Sequence, residues 1–265
     1  MNSKDITEKY LNTLGLKADK PHPALLGKIT QRHVASFPFS SIGPLLGDDL
    51  PLDRASLFDR IVTRKRGGYC FEQNGLIFEI LKDLGYSVRL YLARVIYNQD
   101  IHPPLTHRIT RVEMDNGHFI VDVGFGPLGP YLPVSMTGEK SHEKLRSFWI
   151  AEPEPGVYHM QTNKDGIPFS LYKFELNNYA QADCELGHFY SHKHPKASFV
   201  NNLVVSIITD REVCSIRNRK LNFLTLTDER IQDIENAAHL KNLLKTRFEI
   251  TVSDEEAVVL FKRSA

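Results

Sequence analysis

The chain has 265 residues, 33 of them Lys or Arg and 32 Asp or Glu, for a formal net charge of +1 at pH 7. Such a length supports a large buried core in one domain or a few smaller ones, and the even balance removes bulk charge as a means of choosing partners, nucleic acid and anionic membranes among them. No apolar run approaches the roughly 18 residues of a membrane span, the opening MNSKDITEKYLNTLGL lacks the apolar stretch of a signal peptide, and an odd number of cysteines without CxxC spacing argues against a disulfide framework or zinc ribbon. The expected location is the cytoplasm.

From the start of the chain, Ile6, Tyr10, Leu11 and Leu14 fall at helical spacing before Gly15, and Leu25 to Val34 forms a second amphipathic stretch ending near Pro38. Phe37 to Asp53 (FPFSSIGPLLGDDLPLD) is rich in Pro, Gly, Ser and Asp and reads as a loop packed down by its aromatics. Helix is expected again from Arg54 to Val62, before the basic run Arg64-Lys65-Arg66.

That run leads into RGGYCFEQN, Arg66 to Asn74. Cys70, Asn74, Ile77, Leu81 and Leu84 recur at i, i+4, i+7, i+11 and i+14, which places Cys70 in the first turn of a helix closed by Gly85. Unpartnered backbone N–H groups and the positive end of the helix dipole favour a thiolate there, and thiols so placed titrate roughly 1 to 5 units below the ~8.5 of a free cysteine. Gly67 and Gly68 are expected to let the chain turn tightly and to leave room beside the sulfur for a substrate. Inert packing, the ordinary role of a buried free cysteine, competes with this reading.

From Ser87 the pattern changes. SVRLYLARVIY reads as a strand, and HRITRVEM and HFIVDVGF flank Asp115-Asn116-Gly117, a hairpin signal. A two-residue turn, at Asp115-Asn116 or at Asn116-Gly117, puts His107, Ile109, Arg111, His118, Ile120 and Asp122 on one face. The first turn sets Asp122 opposite Ile109 and diagonal to His107, about 7 to 8 Å between Cα atoms; the second sets them too far apart, and a three-residue loop sends them to opposite faces. Downstream, VGFGPLGP brings Gly124, Gly126 and Gly129 into a loop that a ligand can approach closely, without the pattern of a dinucleotide or Walker loop.

Further strands are expected at Leu145 to Ile150, Leu171 to Leu176, Leu203 to Thr209, Glu212 to Arg217 and Arg247 to Val252, with a linker at Ala151 to Gly156 and a helix from Asp228 to Leu244. Helices first, strands next and a mixed tail make an α+β chain. HFYSHKHP carries His188, His192 and His194 in what reads as a polar loop beside Pro195; its spacing is not HExxH and no acidic third ligand is evident, so no metal is expected. Cys184 and Cys214 read as packing.

Cysteine, histidine and aspartate in that order match the parts of a nucleophilic triad, yet 11 histidines make some such succession unavoidable. The motifs taken together are more specific. FPFSSIGPLLG resembles the PFENL loop of the arylamine N-acetyltransferases, RGGYCFEQN their cysteine signature, THRIT and VDVGFG the elements that follow it, and FYSHKHPKASFVNNLVV the segment entering their last domain. This resemblance covers nearly the whole chain. It implies an α+β fold of three parts around a cysteine-protease-like core: an N-terminal helical bundle (Met1 to Gly85), a central antiparallel β-barrel (Tyr86 to Phe189) and a C-terminal α/β lid (Tyr190 to Ala265).

By the same resemblance Cys70 is the nucleophile, His107 the base and Asp122 the residue that orients it. Phe39 and Phe125 are placed around the acceptor ring, with Thr106 at the pocket edge, and Gly124, Gly126, Pro103 and Pro104 near the coenzyme. Acetyl-CoA is the implied co-substrate, without a metal, and an arylamine, hydrazine or arylhydroxylamine the acceptor, in a ping-pong reaction through an acetyl-cysteine. Arg66 matches a structural arginine whose usual partner is the acid of the PFEN motif. Ser40 and Ser41 stand at the Glu and Asn positions here, so Arg66 is expected to turn to Glu72 or a backbone carbonyl. Competing readings are an amide synthase of the same fold acting on polyketide acyl chains, a transglutaminase-like or papain-like thiol hydrolase, and a non-catalytic binding protein that keeps the pocket.

Overall fold

The computed structural model describes residues 3–264. Helices α1 (Ser3–Thr13) and α2 (Pro23–Ser36) are followed by a two-residue strand β1 (Phe39–Ser40), short helices α3 (Ile42–Leu46) and α4 (Arg54–Phe58), a π-helical turn (Asp59–Thr63) and α5 (Cys70–Asp83). Ile6 and Tyr10 of α1, Leu26 and Ile29 of α2, and Ile77, Ile80 and Leu81 of α5 share one core, each at most 2% exposed. Their i, i+3 and i+4 spacing gives each helix one apolar stripe, and burying a side chain of this size stabilises the fold by about 1.5 to 3 kcal/mol. Packing on both flanks thus fixes the direction in which α5 presents its first residue.

A seven-stranded antiparallel sheet follows, from β2 (Ser87–Val95), β3 (His107–Met114), β4 (Gly117–Val121), β5 (Val134–Ser135), β6 (Phe148–Glu154), β7 (Val157–Lys164) and β8 (Ile167–Glu175), in the order β5-β4-β3-β2-β8-β7-β6. The edge strands β5 and β6 lie against each other, so the sheet curls into a nearly closed barrel around Ile109, Ile120, Phe148, Met160 and Leu171. The β3–β4 hairpin turns at Asp115-Asn116, with Met114 paired to Gly117 and Thr110 to Val121. That is the first of the registers considered, and it carries Asp122 opposite Ile109.

Helices α6 (Gln181–Lys193) and α7 (Ser198–Asn201) lead to β9 (Val204–Ile208), β10 (Glu212–Arg217), β11 (Lys220–Thr225) and β12 (Glu229–Asp233), then α8 (Ala237–Phe248) and α9 (Asp254–Arg263). The second sheet runs β1-β9-β10-β11-β12, so a strand from the N-terminal third forms its edge, Phe39 pairing with Ser206 and Ser40 with Val205. Among the described residues no helix is long and apolar enough to cross a membrane.

Several sequence expectations are corrected here. The Phe37 to Asp53 loop contains β1 and α3, and the expected linker at Ala151 to Gly156 is the end of β6 and its tight turn into β7. Of the histidine cluster read as a polar loop, His188 and His192 lie in the last part of α6 and His194 caps its end. The helix expected from Asp228 begins only at Ala237, after β12, and α8 runs on to Phe248 where a strand was expected.

Candidate active site

The site is built at the start of α5. Glu72 caps that end, Oε2 accepting the Tyr69 N–H at 3.1 Å while Oε1 lies 2.9 Å from Arg60 Nε. Burial pushes the Glu72 carboxyl up to about 7, against the opposing charge of Arg60. Ahead of Tyr69, Gly67 has φ +68°, and a Cβ there would fall 2.4 Å from the Pro38 carbonyl oxygen. Gly67 therefore makes room for the Pro38 to Ser40 segment and Gly68 for the Glu72 side chain, not for a substrate beside the sulfur; the Ser40 N–H donates to Gly68 O at 2.8 Å. This close approach brings the Phe39 ring to the cysteine.

One turn along α5, Asn74 binds both strands of the hairpin. Its Nδ2 donates to Asp122 Oδ1 at 2.8 Å and to Arg108 O at 2.6 Å, and its Oδ1 accepts the Val123 N–H at 2.9 Å. Sequence reading set Asn74 on the same helical stripe as Cys70 but gave it no role. Asp122 Oδ1 also accepts the Gly124 N–H at 3.0 Å, and its Oδ2 lies 2.7 Å from His107 Nε2. Burial raises the Asp122 carboxyl, but His107, Asn74 and the Gly124 N–H outweigh it and hold the group below the usual carboxylate range. With the carboxylate ionised, Nε2 of His107 is the donor and Nδ1 keeps the free lone pair. Ring contacts with Tyr172, at 4.8 Å between centroids, and Phe125, at 5.1 Å, hold the imidazole.

The Cys70 thiol donates to Thr106 O at 3.4 Å, beside His107 in the chain. Burial pushes this thiol up, the backbone at Arg108 and Phe71 opposing and the charge of Asp122 adding to the rise. The direction is the reverse of the sequence expectation. Cys70 does open a helix, but at 2% exposure the hydration lost on ionising exceeds what one helix end returns.

Cys70 and His107 line one cleft of about 340 Å³ together with Phe39, Phe125, Thr106, Pro103, Pro104 and Gly124, a size suited to a small organic ligand. Gly124 is pressed against α5, where a Cβ would meet Cys70 Cα at 2.7 Å. Asp122 and Gly126 are not on the cleft wall: Asp122 stands behind His107, and Gly126, with φ +84°, turns the chain behind the Phe39 ring. Tyr97, Lys196, Phe199 and Arg217 complete the wall and were not found from sequence. Lys196 and Phe199 fall within the FYSHKHPKASFVNNLVV segment but were given no role there, and Tyr97 and Arg217 come from a loop and from β10, far apart in the chain.

Arg66 forks onto Glu256 of α9, Nη2 to Oε1 at 2.8 Å and Nη1 to Oε2 at 3.1 Å, and donates to Thr251 O at 2.8 Å. A carbonyl partner was expected; Glu72 was the other candidate and is held by Arg60 instead. Ser41 Oγ donates to Asn202 O at 2.8 Å and accepts the Val204 N–H at 2.8 Å, stitching the Phe39 loop to β9. His188 lies behind Tyr69, its Nδ1 hydrogen-bonded to the Tyr69 hydroxyl and its Nε2 donating to Leu50 O at 2.7 Å. Cys184 and Cys214 are buried in the core.

The sequence model of a family described as N-acetyltransferase matches residues 24–258. Over 249 residues the chain is 32% identical to the arylamine N-acetyltransferase of Mycobacterium tuberculosis, covering 89% of this chain and 86% of that one. It is 32% identical over 174 residues, 65% of this chain and 62% of the relative, to a Salmonella typhimurium protein named arylamine N-acetyltransferase / N-hydroxyarylamine O-acetyltransferase. Among solved structures, that of Mycobacterium marinum arylamine N-acetyltransferase in complex with CoA matches with a TM-score of 0.91 at 26% identity, over 97% of this chain and 98% of that one.

Proposed function

The chain belongs to the arylamine N-acetyltransferase family and is an acyltransferase; on that premise we propose that it moves an acetyl group from acetyl-CoA to an arylamine, arylhydrazine or arylhydroxylamine through an acetyl-cysteine at Cys70. The observation that carries the reading is the bond of His107 Nε2 to the buried Asp122 carboxylate, with His107 and Cys70 on one cleft wall.

The thiol proton passes to His107 Nδ1. A lone thiolate is disfavoured at this depth, so anion and cation form together and are stabilised as a pair, with Asp122 bonded to the other ring nitrogen. The sulfur attacks the thioester carbonyl, the carbon–sulfur bond to CoA breaks, and the imidazolium returns its proton to the departing CoA thiolate. The acceptor nitrogen then attacks the acetyl-cysteine carbonyl while His107 takes its proton, and the Cys70 thiolate leaves and is reprotonated. An aniline suits the second step because its nitrogen is unprotonated at neutral pH. Phe39 and Phe125 offer aromatic faces for its ring, and the name of the Salmonella relative supports hydroxylated acceptors as well. We place this chemistry in the cytoplasm and retain the three-part division at Gly85 and Phe189, with α6 crossing the second boundary.

Incubation with acetyl-CoA and no acceptor is expected to leave one acetyl group on the protein, lost in Cys70→Ala. Intact-mass spectra of active protein without an adduct, or an adduct that survives Cys70→Ala, reject the assignment.

A further inference from the structure

Across β3 from the cleft lies a second and larger concavity of about 1100 Å³. Successive side chains of a strand point to opposite faces, so His107 enters the cleft while Arg108 enters this groove, and the two hollows share no lining residue. Arg108 is 2% exposed, and among the described residues it has no ion-pair partner and its Nε has no hydrogen-bond partner. Its neutral contacts are Gln181 Oε1, 3.3 Å from Nη1, and the Phe78 ring, 5.2 Å away. Gly75 leaves the space that the guanidinium fills, since a Cβ there would lie 3.3 Å from Nη1. The Glu79 charge acts on Arg108 without an ion pair between them, so this buried cation is poorly compensated by its neutral contacts, and an anion supplied from outside relieves it.

The groove also specifies what kind of anion. Asp49, Asp53, Glu79 and Glu185 on its walls are matched in number by Arg54, Lys82, Arg89 and Lys193, so that with Arg108 the lining carries one cation in excess. One negative charge answers it, and a planar carboxylate matches the guanidinium fork. Phe78, Tyr91, Tyr179 and Phe189 add aromatic wall, with Phe189 65% exposed. We propose that this groove is a binding site for a small aromatic monocarboxylate, its carboxylate on Arg108 and its ring among those side chains. The site is wired to the triad, because Arg108 O accepts from Asn74 Nδ2, which also holds Asp122.

Titration calorimetry of the full chain with 2-naphthoate tests this without reading activity. The expected result is one bound molecule, not displaced by CoA, with the neutral 2-naphthalenemethanol at least tenfold weaker. Arg108→Gln lowers naphthoate affinity at least tenfold. Since Arg108 adjoins His107, a second variant, Gln181→Glu, sets a carboxylate beside the guanidinium at the first residue of α6, where the helix dipole favours an acid. Gln181→Glu raises the thermal midpoint and lowers naphthoate affinity at least tenfold. Absence of naphthoate binding, unchanged affinity in both variants, equal affinity for the neutral analogue, or displacement by CoA overturns the proposal.

Discussion

Replacing Asp122 by Asn changes one atom and reverses the direction of one hydrogen bond. The amide keeps an acceptor oxygen that can take the Gly124 and Asn74 N–H bonds now made to Oδ1, at 3.0 and 2.8 Å. Its NH₂ then faces His107 Nε2, 2.7 Å from the present Oδ2. Two donors cannot share that position, so the ring adopts the tautomer in which Nε2 accepts and Nδ1 carries the proton. Nδ1 can then no longer take the Cys70 proton, and the imidazolium loses its counter-charge. The same exchange in a serine triad lowers turnover roughly 10⁴-fold, and we expect a loss of roughly 10³- to 10⁴-fold, about 4 to 5.5 kcal/mol in the barrier. Exchange of charge-assisted for neutral bonds costs about 1 to 2 kcal/mol in stability, which leaves the fold in place. The assay is single-turnover release of CoA from acetyl-CoA, with circular dichroism to establish folding. A folded Asp122→Asn protein acetylated within tenfold of the wild-type rate refutes the tautomer argument.

Asn74→Ala strips partners from the buried Val123 N–H and Arg108 carbonyl and one donor from Asp122. At roughly 1 to 3 kcal/mol for each orphaned group the loss is about 3 kcal/mol, or roughly 6 to 12 °C in the thermal midpoint; calorimetry showing no shift contradicts it. His33 is buried with Tyr10 O–H on Nδ1 and Gln73 Oε1 on Nε2, both at 2.7 Å, and burial pulls its pKa down to about 4 against the Gln73 bond. The unfolded value is ~6.5, so the unfolded chain binds more protons between the two. Stability from this group is complete above the unfolded value and lost as pH falls towards the folded one, by about 3 kcal/mol in all. Urea midpoints at pH 7 and pH 4.5, compared between wild type and His33→Gln, isolate this share from that of His188, whose pKa burial also pulls down to about 4. Arg217 and Lys196 are exposed cations on the cleft, and the phosphates of CoA are the anions they can meet. Arg217→Ala is expected to raise KM for acetyl-CoA roughly three- to tenfold with kcat unchanged, less so in high salt; an unchanged KM at low salt removes Arg217 from the donor path.

Local pattern carried the reading where one segment decides its own structure. The Cys70 helix was legible because its stripe is continuous, and the existence of the hairpin because Asp115-Asn116-Gly117 is flanked by alternating strands, whereas its register was open because both two-residue turns give the same faces. Distance in the chain hid the rest. Gly187 lies within α6, where its lack of a Cβ lets the helix close on residues distant in the chain, since a Cβ there would meet Leu105 O at 2.6 Å and Phe71 Cζ at 2.7 Å. Pro153 reads as linker, yet β6 is an edge strand with a bulge between Ala151 and Glu154, where a missing N–H costs nothing. Glu229 to Asp233 is exposed throughout, so only pairing with β11, and no apolar pattern of its own, makes it a strand. The partner of Arg66 is 190 residues away in Glu256, and the rise of the Cys70 thiol follows from an enclosure to which distant segments contribute.

The Phe39 to Ser40 strand ties the beginning of this chain to a part made much later. Its neighbour Ser41 is bonded to Val204, 163 residues further on, and the aromatic wall beside the sulfur is seated by β9. A ribosome must therefore deliver most of the polypeptide before the cleft around Cys70 can close. Until then Cys70 lacks the side of its cleft formed by Phe39 against β9, and that side is seated only near the end of synthesis.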